Sequence, residues 1–156
     1  MSDYFKNDMR VHPYSWEYLD DICETQEEVF MLIRDELPGV DEKWFIESYM
    51  RSRVRLLLDR GNPILANRYA NELIYTFIHE ECGGDYERGD HWGGFLPGWV
   101  GYIYALYQWL YDEPSAGLIH TFPLEVMERF WLPYHTICYE AAVEKLHENA
   151  KCSELT

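Results

Sequence analysis

Residues 82–101, CGGDYERGDHWGGFLPGWVG, form the stretch that decides the fold of this chain. They contain seven of its ten glycines and lie between two segments with helical periodicity. A connector this rich in glycine turns sharply or passes close to another part of the molecule, because glycine accepts backbone angles and contacts that other residues do not. We therefore predict a Gly-rich connector at 83–96 that acts as a crossing point and leads into a helix beginning at Pro97.

The spacing of apolar residues predicts helices throughout the chain, and no segment shows the strict alternation of a strand. Thr25 and Glu28 resemble a capping box, which would permit a break in the first helix near residue 24. Pro133 is expected to interrupt a helix. The predicted helices span residues 15–37, 41–60, 63–82, 97–111, 115–120, 123–132 and 136–148.

The helix predicted at 97–111 carries apolar and aromatic residues on nearly all sides, which is typical of a buried central helix. Residues 1–14 are predicted to form an N-terminal arm that packs by its rings or docks on a partner, and residues 150–156 a frayed tail. At 156 residues the chain fits one domain. We predict a single compact all-α domain over 1–156, with about six or seven helices around the central helix.

Composition and charge narrow the classes of function. The hydrophobic content of 47% and the aromatic content of 17% argue against disorder. The chain has 28 acidic and 13 basic residues, a formal net charge of -15. Because such a surface repels phosphate groups, direct binding of nucleic acid is not expected. The charge serves solubility, attracts a basic protein partner, or does both.

The spacing of the cysteines and the length of the apolar segments predict the cellular compartment of the protein. Cys23, Cys82, Cys138 and Cys152 show no Cys-x-x-Cys spacing, and the start of the sequence has no signal-peptide pattern. No apolar run reaches the length of a membrane span. These features predict a cytoplasmic protein with reduced thiols and no membrane contact.

Two clusters of charged residues are candidates for a binding function. The acidic residues of the first helix and of the connector are a candidate contact surface for a basic protein. They are Asp20, Asp21, Glu24, Glu27, Glu28, Asp85, Glu87 and Asp90. The arginines of the second helix leave two alternatives, namely pairing with the acidic first helix or forming a pocket for phosphate or carboxylate. They are Arg51, Arg53, Arg55 and Arg60.

A different interpretation places a small-ligand site, or the active site of an enzyme, beside the connector. Its lining would be His79, His91, Trp92, Trp99, Arg51 and Arg55. His79 and Cys82 have a spacing that metal ligands use, but Gly83 stands where a zinc-protease helix has its second histidine. Neither Cys82 as a nucleophile nor Gly93-Gly94 as an anion cradle matches a signature of such sites. We therefore predict no catalytic residue, no metal and no cofactor.

Several short motifs surround the start of the predicted central helix. They are Gly93-Gly94-Phe95-Leu96-Pro97 with Trp99 and Gly101, then Tyr107-Gln108-Trp109, Pro114-Ser115 and Tyr134-His135. This pattern resembles a family of small uncharacterised proteins from gut Firmicutes and their mobile elements, over roughly residues 44–146. Genes of that family often lie beside small toxin-like genes, so the resemblance implies an antitoxin or accessory role and no catalytic residues.

These observations favour a non-enzymatic interaction module that is antitoxin-like or inhibitory. Its acidic surface would mask a basic partner that binds nucleic acid, such as a toxin or a defence protein. The alternatives are the ligand site beside the connector and a structural homodimer joined through exposed tyrosines.

Overall fold

The computed structural model describes residues 4–154, and their side chains as far as Cys152. Within this range the chain has a turn of 3-10 helix at Trp16–Tyr18 and nine α-helices, so the predicted all-α class is confirmed. The α-helices are α1 (Leu19–Glu36), α2 (Glu42–Met50), α3 (Arg53–Asp59), α4 (Pro63–Ala66), α5 (Ala70–Glu81), α6 (Leu96–Tyr111), α7 (Ser115–Thr121), α8 (Leu124–Tyr134) and α9 (Tyr139–Glu154).

Helix α6 lies at the centre of the domain, as predicted. Every residue from Pro97 to Leu110 is buried, and the most extensive contact between two helices joins α6 to α1. Two glycines permit this close packing. A Cβ atom on Gly101 would lie 2.5 Å from the carbonyl oxygen of Gln26, and one on Gly98 would lie 2.7 Å from Cγ of Met31. The backbones of α1 and α6 therefore approach each other more closely than side chains would allow.

The Gly-rich connector is a crossing point, as its composition indicates. Its backbone forms hydrogen bonds with the turn between α1 and α2, where the amide of Asp41 donates to the carbonyl of Glu87 at 2.9 Å. The amide of Gly89 donates to the carbonyl of Gly39 at 3.1 Å. A Cβ on Gly89 would clash with the carboxylate of Asp41. The connector is thus tied to the end of α1 before it enters α6.

Two predicted helices are each divided, which explains why nine α-helices replace the expected six or seven. The helix predicted at 41–60 breaks at Ser52, whose hydroxyl accepts a hydrogen bond from the amide of Arg55 at 3.0 Å and caps α3. The helix predicted at 63–82 breaks before Tyr69, which has an extended backbone and whose amide donates to Glu72 at 3.4 Å. Local caps therefore override an apolar spacing that continues across both breaks.

The break suggested near residue 24 is absent from α1. The Thr25 hydroxyl donates to the carbonyl of Asp21 at 2.8 Å, inside the helix, instead of capping a new one. Pro133 lies in the last turn of α8, and the helix continues one residue past it before it ends at Tyr134.

The two ends of the described chain have different structures. The arm packs by its rings on Trp109 of α6, where the His12 ring stacks with a centroid distance of 3.7 Å and Phe5 is buried. At the other end α9 begins at Tyr139 and continues to Glu154, beyond the predicted end near Glu148. The predicted tail at 150–156 is therefore helical as far as Glu154, and positions 1–3 and 155–156 lie outside the described residues.

Helices long and apolar enough to cross a membrane are absent from the part of the chain that the structure describes.

Candidate functional site

The exposed side of α1 carries a row of carboxylates that we call the acidic face. It consists of Asp21, Glu24, Glu28 and Asp35, which recur at helical spacing and are all exposed. The opposite side of α1 is buried against α6. Asp20 and Glu27 lie at the edge of this face and are half-buried. Asp35 extends the surface predicted from the sequence.

The charges of the acidic face have no cationic partner among the described side chains. Among the side chains that the structure describes, the ion pairs include none of these carboxylates. The expected pairing of the arginines with the first helix is wrong for Arg55, whose Nε lies 3.2 Å from Asp59 and 2.8 Å from the Ser115 hydroxyl. Arg55 is enclosed in the core, because Asp59 and Ser115 supply polar partners there.

The acidic residues of the connector form a separate surface. Asp85, Glu87 and Asp90 are exposed, but the connector is attached at the C-terminal end of α1. Asp20 to Glu28 occupy the first half of that helix. At about 1.5 Å per residue, Glu28 lies roughly 15 Å along the helix from the connector. Asp35 is the only member of the acidic face between the two groups.

A groove runs beside the acidic face, between α1, the start of α6, the end of α8 and the start of α9. Its volume is about 620 Å³. Its lining comprises Glu27, Met31, Phe95, Gly98, Trp99, Trp131, His135 and Tyr139. Four of these are aromatic rings other than histidine, and one is a carboxylate. We call it the aromatic groove.

The polar groups of the aromatic groove are arranged around Glu27. The Tyr139 hydroxyl donates to Oε2 of Glu27 at 3.0 Å. Burial, and after it the charge of Glu27, raises the pKa of Tyr139 to about 12, so this hydroxyl stays protonated at neutral pH. The ring of Tyr139 is held by stacking on Tyr102 at 3.7 Å. Trp99 is 7% exposed, and its indole N–H is buried without an acceptor.

Helix α8 contributes the outer wall of the groove. The rings of Trp131 and His135 stack at 3.9 Å, and the His135 Nδ1 lies 2.7 Å from the Trp131 carbonyl. On the opposite rim Phe95 is 79% exposed, directly before the first turn of α6. The groove therefore presents rings to solvent in a domain that buries most of its other large apolar residues.

The structure gives the six residues of the alternative pocket different surroundings. Arg55 is in the core, Arg51 is exposed after α2, and His79 is exposed near the end of α5. His91 and Trp92 both contact Glu42, through a ring nitrogen at 3.3 Å and the backbone amide at 3.0 Å. Of the six, Trp99 alone lines the aromatic groove.

The glycine pair of the connector is exposed and does not enclose a ligand-sized cavity. The cavity that Gly93 and Gly94 line measures about 10 Å³, which is room for about one water molecule. Cys82 is half-buried, and burial followed by the charge of Glu81 raises the pKa of its thiol. A raised pKa is the opposite of what activates a cysteine nucleophile. Groups of three or more metal-ligating side chains are absent from the described residues.

The aromatic groove was missed by sequence reasoning, apart from Trp99 and Glu27. Trp131 and His135 stand four residues apart, which places them on one side of a helix. That spacing does not say which other helix they face. Glu27 and Tyr139, which meet in the groove, are separated by 112 positions.

Comparison of the chain with protein-family models, with curated proteins and with solved structures finds no match. The resemblance to the Firmicutes family therefore stays a prediction. Several of its motif residues have structural roles in this domain. The Gln108 amide donates to the carbonyl of Asp59 at 3.0 Å, and the Ser115 hydroxyl donates to the Asp59 carboxylate at 2.6 Å. Gly101 allows the backbone of α1 to pack closely against α6.

Proposed function

We propose that this chain is a non-enzymatic interaction protein whose acidic face binds a basic surface on a partner protein. It would act as an antitoxin or an inhibitor does, by masking the surface with which a toxin or a defence protein holds nucleic acid. The observation that carries this proposal is the row of exposed carboxylates on α1 without cationic partners among the described side chains.

The arrangement of these charges supports binding over solubility alone. Glu24 and Glu28 are four residues apart, and like charges at that spacing destabilise a helix by a few tenths of a kcal/mol. Solubility requires net charge but does not require it to be aligned on one side of one helix. A basic partner would relieve the repulsion, so the arrangement favours the bound state.

Helix α1 is also a rigid base for such a surface. Its buried side includes Leu19, Cys23, Phe30 and Ile33, and these pack into the domain core. Because the helix is already ordered, binding would order side chains but not the backbone. The interaction is expected to weaken with salt, because screening shortens the range of exposed charges to about 10 Å at 0.1 M ionic strength.

The experiment compares two variants that lose the same number of charges. The first removes the acidic face with Asp21→Asn, Glu24→Gln, Glu28→Gln and Asp35→Asn. The control removes four exposed carboxylates elsewhere with Glu17→Gln, Glu80→Gln, Glu125→Gln and Glu148→Gln. Proteins retained from a lysate of the source cell are eluted with increasing salt, and each is then tested for binding to a labelled RNA or DNA duplex.

We expect the wild-type chain to retain a protein of high isoelectric point that binds nucleic acid, and to displace this partner from the labelled duplex. The control variant should also retain the partner and displace it from the duplex, and the acidic-face variant should do neither. Equal losses in both variants, or a partner whose retention does not respond to salt, would contradict the proposal.

A further inference from the structure

We propose that the aromatic groove is a binding site for one cationic side chain, an arginine or lysine that projects from the basic partner. This inference rests on the proposed function and names the contact that would give it specificity. The acidic face would attract the partner over a distance, and the groove would hold one of its side chains.

The rings of the groove suit a cation. Phe95, Trp99, Trp131 and Tyr139 come from the start of α6, the end of α8 and the start of α9, and they line one space. An ammonium or guanidinium group over the face of such rings is attracted by their negative faces, and tryptophan is the strongest of them. The volume of about 620 Å³ falls within the range of small-ligand sites.

Glu27 supplies a negative charge in the same space. Its only described hydrogen bond is the one that Oε2 accepts from Tyr139, so Oε1 remains available to a ligand. Among the described ion pairs none involves Glu27. A half-buried carboxylate without a counterion pairs more strongly with a cation than an exposed one does, because water screens it less.

An independent observation is the unpaired indole N–H of Trp99. This donor is buried, and a buried donor without an acceptor is unfavourable because it has lost its hydrogen bond to water. A backbone carbonyl of the peptide that carries the cation would accept from it, after a small movement of the ring. This favours a peptide over a free ammonium ion, which has no acceptor to offer.

Other occupants fit these features less well. A second copy of the chain would bring another net charge of -15 to an acidic surface. A purely apolar helix would bury the Glu27 carboxylate without a counterion, which is unfavourable. An arginine or lysine on a basic protein satisfies the rings, the carboxylate and the indole together.

The test uses capped tripeptides of defined sequence as probes. Ala-Arg-Ala, Ala-Lys-Ala and the neutral Ala-Gln-Ala are titrated into the full chain, with tetramethylammonium chloride as a small cation. Binding is followed by the indole N–H resonances in ¹H–¹⁵N spectra, assigned with Trp131→Leu and Trp99→Phe. The matched pair of variants is Glu27→Gln and Glu28→Gln, which remove one charge inside and one charge outside the groove. Thermal unfolding confirms that each variant is folded.

We expect the two cationic peptides to shift the Trp99 and Trp131 resonances, and the neutral peptide to leave them unchanged. Glu27→Gln should weaken binding roughly tenfold, the effect of one charged contact. Glu28→Gln should change it less than about twofold, as a screened surface charge does.

The outcomes separate this inference from the proposed function. Equal effects of Glu27→Gln and Glu28→Gln would overturn the groove as a site while leaving general attraction by the acidic face intact. Binding of Ala-Gln-Ala as tight as that of Ala-Arg-Ala, tighter binding of tetramethylammonium than of either cationic peptide, or no binding of any probe would also overturn it. If the cationic peptides bind in the groove but the retention of the partner protein does not depend on salt, only the proposed function is contradicted.

Discussion

Gly101 and Gln26 bring the two central helices together at the level of their backbones. A Cβ on Gly101 would lie 2.5 Å from the Gln26 carbonyl oxygen and 3.0 Å from Cγ of Phe30. Backbone atoms of a helix cannot move aside as the end of a flexible side chain can. The backbone contact of α1 with α6 therefore depends on Gly101, and this contact helps to place Glu27 beside the start of α6.

We predict that Gly101→Ala destabilises the fold, because the added methyl group forces α1 and α6 apart. Overpacking usually costs about 1–3 kcal/mol, and the better helix propensity of alanine returns up to about 1 kcal/mol, so the free energy of unfolding should fall by about 1–2 kcal/mol. Urea unfolding followed by circular dichroism measures the change. Gly93→Ala is the control, since a Cβ there meets nothing within 4 Å. An unchanged stability of Gly101→Ala would show that the helices are not in backbone contact.

The buried pair of Arg55 and Asp59 provides a second test. Arg55 is 2% exposed, and its removal by Arg55→Met leaves the Asp59 carboxylate in the core without a counterion. Breaking a buried pair in this way costs about 3–5 kcal/mol. The control Arg53→Met removes an exposed arginine from the same helix and should cost less than about 0.5 kcal/mol.

Replacing both members of the pair distinguishes the lost charge from lost packing. The double variant Arg55→Met with Asp59→Leu should recover much of the stability that Arg55→Met loses, because no unpaired charge remains. Both losses are measured by urea unfolding. A double variant less stable than Arg55→Met would show that the hydrogen bonds of Ser115 to Asp59, at 2.6 and 2.7 Å, matter more than the charges.

The titration of Asp59 predicts how its replacement depends on pH. Burial raises the pKa of this carboxyl above its usual value, although Arg55 and Ser115 oppose the shift. The folded protein thus holds the proton more tightly than the unfolded chain does. The stability that this group contributes is fully present below the unfolded pKa of about 4 and is lost as pH rises through the folded pKa.

Asparagine at position 59 does not titrate, so Asp59→Asn should destabilise the protein most at pH 4 and progressively less towards pH 8. Urea unfolding of both proteins across this range gives the difference, in which the titrations of other groups largely cancel. A difference that grows with pH would mean that attraction by Arg55 outweighs burial and that the pKa of Asp59 is lowered.

The centre of the fold could be predicted from the sequence, and the contacts around it could not. Helix α6 is apolar on nearly all sides, so its burial followed from its own residues. Gly98 and Gly101 belong to the same glycine-rich stretch, but what passes over them depends on where α1 lies. The break at Ser52 has a local cause, because the Ser52 hydroxyl accepts a hydrogen bond from the Arg55 amide and caps α3. The apolar spacing continues past Ser52 to Val54, so it gives no sign of this break.

The candidate site shows the same limit. The carboxylates of α1 share one side of the helix because of their spacing, and the sequence is sufficient to predict that. The connector acids were predicted to join them, but backbone bonds of Glu87 and Gly89 hold the connector at the far end of α1. The aromatic groove joins Glu27 to Tyr139 across most of the chain, and periodicity within single helices carries no information about such contacts.

The four cysteines allow the packing to be tested by thiol labelling. Cys23 is fully buried in α1, Cys82 is half-buried, and Cys138 and Cys152 are exposed. Because the thiolate is the reactive form, burial slows labelling both by excluding the reagent and by raising the pKa. Burial raises the pKa of Cys23 well above its usual value, with opposition from Arg55 and support from Asp20.

We predict three rates of reaction with a disulfide reagent such as 5,5′-dithiobis(2-nitrobenzoate) at pH 8. Cys138 and Cys152 should react first, Cys82 more slowly, and Cys23 only as fast as the domain opens. Mass spectrometry of peptides assigns each thiol, and added urea should accelerate Cys23 in proportion to the unfolded fraction. The variant Cys82→Ser removes the intermediate rate without changing the slow one. Labelling of Cys23 as fast as Cys138 in the absence of urea would show that α1 is not packed against α6 in solution.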